Sequence, residues 1–154
     1  MSLVMAPIFV LATLLAPRAA QAQNVSSTAM AGAYSVTLRV LPAESFSGPK
    51  AAMARDSGAQ PEQLDGPMHP NHHMVAFIKK NGTPVANAKV EIRYRKLSPM
   101  MGAWKSLPVV RMHVSGKGPE TTHYGNNLVL GPGKYEARVT VNGKASGWMH
   151  FTIS

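Results

Sequence analysis

HHMVAFIKKNGTPVANAKVEIRYR, residues 72–95, is the stretch on which the fold reading turns. From Val85 to Tyr94, the side chains of Ala88, Val90, Ile92 and Tyr94 alternate with Lys89, Glu91, Arg93 and Arg95. This is the two-residue period of a strand with one wet face. His73 to Lys79 reads as a second strand, and Asn81-Gly82 between the two is a hairpin signal because both residue types tolerate positive φ. Downstream, Trp104 to Met112 reads as a strand interrupted by Pro108, and therefore as an edge or bulged one. Leu128 to Leu130 is a short apolar run, and Pro132-Gly133 is a turn. Tyr135, Ala137, Val139 and Val141 then alternate with Glu136, Arg138 and Thr140. Asn142-Gly143 marks another hairpin, and Trp148 to Ile153 ends the pattern. Upstream, Tyr34, Val36, Leu38 and Val40 alternate with Ser35, Thr37 and Arg39. No segment competes with a helical period. The expected fold is all-β, an immunoglobulin-like antiparallel β-sandwich of about seven strands, without the cysteines of that plan. Residues 33–154 form the expected domain, with a long Pro- and Gly-punctuated loop at about 42–71.

The chain opens with MSLVMAPIFVLATLLAPRAAQAQ. An apolar run from Leu3 to Ala16, a helix-breaking Pro17 and the small-x-small pattern Ala20-Gln21-Ala22 predict a signal peptide over 1–22, cleaved before Gln23. A retained membrane anchor is the rival reading, because no Lys or Arg precedes the apolar run. Residues 23–32, QNVSSTAMAG, are small and polar and read as a flexible leader. Export places the mature protein in the periplasm.

Lys and Arg number 16 against 7 acids, a net charge of +9. Loss of Arg18 with the export segment leaves 15 against 7, or +8. The positive residues are scattered rather than clustered, and export argues against nucleic acid as a partner. There is no cysteine, which removes disulfides, thiolate metal sites and cysteine nucleophiles together. No GxSxG, P-loop or HExxH pattern is present, and the acids lie mainly in loops or on outward strand positions. The chain is expected not to be an enzyme.

Chemistry concentrates in histidine and methionine. Three of the six histidines, His69, His72 and His73, lie within MHPNHHM, flanked by Met68 and Met74. His113 and His123 lie at or near Met112. Imidazole suits copper, zinc and iron, whereas a thioether is soft and favours cuprous copper, so a His and Met mixture without Cys points to copper first. Strand alternation forbids His72 and His73 from facing one site together. Met149 reads as core and His150 as surface, while Met100-Met101 reads either as an exposed copper-handling pair or as a loop plug on Trp104. The competing reading of MHPNHHM is a solvated loop rich in histidine.

In MHVSGKGPETTHYGNNLVLGPGKYEARVTV, residues 112–141, the residues Met112, Gly118-Pro119, His123-Tyr124-Gly125-Asn126-Asn127 and Pro132-Gly133-Lys134-Tyr135 resemble the periplasmic ferrous-iron transport accessory family. HHMVAFIKKNGTPVANAKVEIRY resembles that family's strand that begins with a metal-binding His, and is also similar to YtkA-like exported domains. Together the two stretches cover about residues 72–141. The resemblance implies an immunoglobulin-like sandwich, often dimeric, that binds copper and works beside an inner-membrane iron permease. It maps ligand roles onto His73, Met112 and His123, with His72, Met74, His69 and Met68 available to complete the shell. The chain departs from the family in having Val75 and Phe77 where acidic residues are expected, Lys79 where a later His is expected, and an insertion between Met112 and His123. These departures disfavour a carboxylate-rich ferrous site and leave a softer copper site. The expected function is copper binding for transport or homeostasis. The alternatives are an accessory role in ferrous-iron uptake through the same residues and a structural sandwich without metal.

Overall fold

A computed structural model of the chain describes residues 25–43, 70–114 and 117–154. The expected export segment, most of the long loop, and with them Met68 and His69, lie outside the described residues.

The chain is an all-β sandwich of two antiparallel sheets. The first sheet has the order β1 (Val25–Ala31), β2 (Tyr34–Pro42), β3 (His72–Lys80), β8 (His123–Leu128), β7 (Val110–Met112), and the short β4 (Thr83–Pro84) pairs with β3. The second has the order β10 (Lys144–Ala145), β9 (Gly133–Val141), β5 (Val90–Lys96), β6 (Lys105–Leu107), with β11 (Met149–Ile153) paired to β9. Among the described residues the one helical element is a 3-10 turn at Pro119–Thr121.

Alternation fills the space between the sheets. Val36, Leu38 and Val40 of β2, Met74, Ala76 and Ile78 of β3, and Tyr124 and Leu128 of β8 come from one side. Ile92, Leu107, Ala137, Val139, Val141, Met149 and Ile153 come from the other, with the Tyr135 and Phe151 rings stacked 5.3 Å apart. Burying such side chains is the main favourable contribution to folding, roughly 1.5–3 kcal/mol for each large one. Both Asn-Gly turns form, but the first joins β3 to the two-residue β4, and the strand expected as its partner, β5, lies in the other sheet. Asn81 and Gly82 have φ of 50° and 78°, and Asn142 and Gly143 have 48° and 79°.

Four expectations change. Residues 25–31 are not a leader but strand β1, zipped along β2 from Val25↔Val40 to Ala31↔Tyr34. Its inward positions are the small or β-branched Val25, Ser27, Ala29 and Ala31, so the alternation is real but carries little hydrophobic contrast. Strand β5 starts at Val90, not at Val85. The Trp104–Met112 segment divides at Pro108. Lys105–Leu107 is the edge of the second sheet and Val110–Met112 the edge of the first, so a residue without an amide hydrogen stands where the chain changes sheets. The strand expected at 128–130 is the longer, polar β8 upstream, which the ladder to β3 holds in place.

Candidate metal centre

The candidate site lies on the face of the first sheet that points away from the main core. Residues paired directly across antiparallel strands share a face. The registers Leu41↔His73, His73↔Asn127, Val75↔Gly125, Val110↔Gly125 and Met112↔His123 therefore place Leu41, His73, Val75, Val110, Met112, His123 and Asn127 on one surface. Val75, Val110 and Met112 form a second apolar cluster there, with Leu41 and Phe77 packed against it. His73 is 1% exposed and Met112 6%.

His73 and His123 come from neighbouring strands, with ring centres 6.4 Å apart and planes at 88°. A metal–nitrogen bond of about 2.0–2.1 Å sets a ring centre roughly 3.2 Å from the ion, so two rings on one ion have centres up to roughly 6.5 Å apart. The observed separation falls within that reach. Met112 lies directly across from His123 in the β7–β8 ladder, which adds a thioether to the same neighbourhood.

The hydrogen bonds fix the tautomers. His123 Nδ1 lies 2.9 Å from the carbonyl oxygen of Thr121, an acceptor only, so Nδ1 carries the proton and donates. His73 Nδ1 donates to Asn127 Oδ1 at 2.9 Å. In the neutral form of each ring the lone pair then resides on Nε2. This is the arrangement of a metal-binding imidazole, whose second nitrogen is anchored by a carbonyl or carboxylate. The 3-10 turn holds the Thr121 carbonyl in place, because both the amide and the hydroxyl of Thr122 donate to Pro119 O, at 3.0 and 2.7 Å.

Gly125 brings the two site-bearing strands together. A Cβ at this position would lie 2.0 Å from Met74 O and 2.8 Å from Val75 Cα, both backbone atoms that cannot swing aside. Phe77 seals the end of the patch, with its ring 5.4 Å from that of His123 and the Arg39 guanidinium 5.1 Å from its centre.

The other sequence candidates separate from this site. Met74 is fully buried in the main core, on the opposite face of β3, because adjacent residues in a strand point in opposite directions. His72 shares that inner orientation. It is buried, its Nδ1 donates to Asn71 Oδ1 at 2.7 Å, and burial pushes its pKa below the ordinary 6.5. Asn71 in turn clamps Leu130 through both its amide groups, so His72 belongs to a structural knot. Neither residue joins His73, which corrects the expectation that they complete its shell. His69 and Met68 lie outside the described residues. Met100 and Met101 are exposed, 80% and 67%, with Arg95 Nη1 3.6 Å from Met101 Sδ, and Met149 is core as expected. Among the described residues no three His, Cys, Asp or Glu side chains gather, so the donor set here is two imidazoles and a thioether. Sequence reading missed the supports: Asn127, the Thr121 carbonyl and Phe77. The one available signal was spacing, since His123, Gly125 and Asn127 stand two apart on one strand face.

No protein-family model and no curated protein matches the chain. In fold it is similar to a DUF4426 family protein from Pseudomonas aeruginosa PAO1, at 16% identity and a TM-score of 0.49, over 82% of this chain and 91% of that one.

Proposed function

We propose that this is an exported, periplasmic copper-binding protein for metal transport or homeostasis, with His73, His123 and Met112 as its ligands. The reading rests on one observation above all: two imidazoles from adjacent strands stand 6.4 Å apart with both Nδ1 atoms committed to oxygen acceptors. Two borderline nitrogens and one soft sulfur suit cuprous copper, and the apolar Val75 and Val110 beside them offer no hard oxygen ligand. The resemblance to ferrous-iron transport accessory proteins supports delivery to or from an inner-membrane permease. Copper is preferred to iron as the bound ion because Val75 and Phe77 occupy the positions where carboxylates would serve iron.

Titration of the mature protein with cuprous and cupric copper tests the proposal. One tight site is expected, lost in a His73→Ala, His123→Ala double variant. Met112→Leu should weaken cuprous binding more than cupric. A copper bound at 100 times its Kd should raise stability by about 2.7 kcal/mol. Unchanged affinity in the double variant would end the proposal.

A further inference from the structure

The outward face of the second sheet carries a separate constellation that the copper reading does not use. Arg93 of β5 and Arg138 of β9 are paired directly across the ladder. Like charges in that position destabilise a sheet, so the pair breaks a local rule of strand pairing. Each guanidinium is held over an indole. Arg93 lies 5.7 Å from the Trp104 ring centre, Arg95 4.6 Å from the same ring, and Arg138 4.9 Å from Trp148. The two indoles stack on each other, 5.4 Å apart and 26° from parallel.

The acids nearby are already engaged. Glu136 accepts from Arg95 Nε and lies 3.5 Å from His150 Nε2, and Glu91 lies 3.6 Å from Lys89. Arg138 gives its Nε to Ser146 O. Arg93 is exposed, as is Trp148 at 51%. Trp and Arg together, held flat on a rigid sheet, are the composition of protein interfaces and of their most energetic positions.

We propose that this face docks an acidic segment of a partner protein, whose carboxylates seat between Arg93 and Arg138 beside the Trp104–Trp148 stack. The choice of a polypeptide follows from the orientation of the charges. A planar guanidinium fixed on a ring presents a fork that matches a carboxylate, whereas attraction to an anionic lipid surface depends mainly on the number of charges.

The test measures binding of poly-L-glutamate by tryptophan fluorescence, with phosphatidylglycerol–phosphatidylcholine vesicles as the second arm. The full mature protein is compared with Arg93→Gln/Arg138→Gln and with Lys79→Gln/Lys117→Gln, which removes two charges elsewhere. Polyglutamate binding should weaken about tenfold or more in the arginine variant and at most about twofold in the lysine variant. Equal loss in both variants would reduce the effect to net charge and overturn the proposal. No binding of polyglutamate, or vesicle binding alone that depends on the arginine pair, would also overturn it. Matching thermal melts separate loss of docking from loss of fold.

Discussion

The two outward faces of this sandwich obey the same alternation and yet present opposite chemistry. On the second sheet, β5 sends Glu91, Arg93 and Arg95 outward against Ile92 inward, and its partner β9 sends Arg138 outward against Val139. On the first sheet, β3 is buried on both sides from His72 to Ala76. A strand apolar on both faces within an antiparallel sandwich has a second surface to account for. Here that surface carries His73, His123 and Met112 around Val75 and Val110. The outward face of the second sheet is charged along β5 and β9, whereas the middle of the other face is apolar, with the exposed Arg39 and Lys79 beside it.

The sharpest way to break this contrast is to place the same group on both faces. Val75→Asp puts a carboxylate at a position 1% exposed, beside an apolar cluster, and should cost about 3–5 kcal/mol in urea denaturation. Ser106→Asp, exposed on the second sheet directly across from Arg93, should change stability by no more than about 0.5 kcal/mol. Equal costs would mean that the two faces do not differ in environment.

Next in size is Gly125→Ala. Its added carbon would meet the β3 backbone, so strands β3 and β8 must part or slide, at roughly 1–3 kcal/mol. Because His73 and His123 sit on those two strands, copper affinity should fall together with the melting temperature. An affinity unchanged in a destabilised protein would show that the two imidazoles do not share an ion.

The outward face of the second sheet was legible in the sequence because Lys, Glu and Arg contrast sharply with Val, Ile and Ala at period two. The same contrast marked β2 and β9, and residue types that tolerate positive φ marked both Asn-Gly turns. It was absent in β1, where Ser, Thr and Ala alternate, and in His123–Leu128, whose polar residues are buried by pairing rather than by hydrophobicity. For the site, the spacing rule separated His72 from His73 correctly, and the resemblance to known accessory proteins supplied His123 and Met112. Asn127 was not legible, since a hydrogen bond between strands distant in sequence depends on a register that composition does not encode, and the Thr121 carbonyl was not, since it is set by the 3-10 turn just before His123.

Asn127→Ala isolates that missed support. The imidazole of His73 loses the acceptor that orients it, and copper affinity should drop about 10- to 100-fold, as measured by competition titration. The loss of fold stability should be smaller than for Val75→Asp. An affinity within twofold of the parent would reduce Asn127 to a packing residue.

His72 offers a contrast within a single strand. Its folded pKa lies below 6.5 because burial disfavours the charged ring, so the unfolded chain binds more protons as pH falls below about 6.5. Stability is therefore full above that pH and declines on acidification toward the lower folded pKa. His72→Gln should flatten this limb of the stability–pH curve. Persistence of the full acid limb in the variant would assign it to other groups.

The smallest effect belongs to the face that was easiest to read. Arg93→Gln removes a repulsion with Arg138, about 0.2–1 kcal/mol for directly opposed like charges, and a stacking contact with Trp104, about 0.5–1 kcal/mol at an exposed site. The two terms oppose each other, so the net change should stay within about 0.5 kcal/mol. Salt screens the repulsion over a Debye length of about 10 Å at 0.1 M, which shifts the balance. The variant should therefore look more stable relative to the parent in dilute buffer than in concentrated salt. A loss above about 1.5 kcal/mol would make Arg93 a structural strut. A near-neutral, salt-dependent response is what a charge held in readiness for a partner should give.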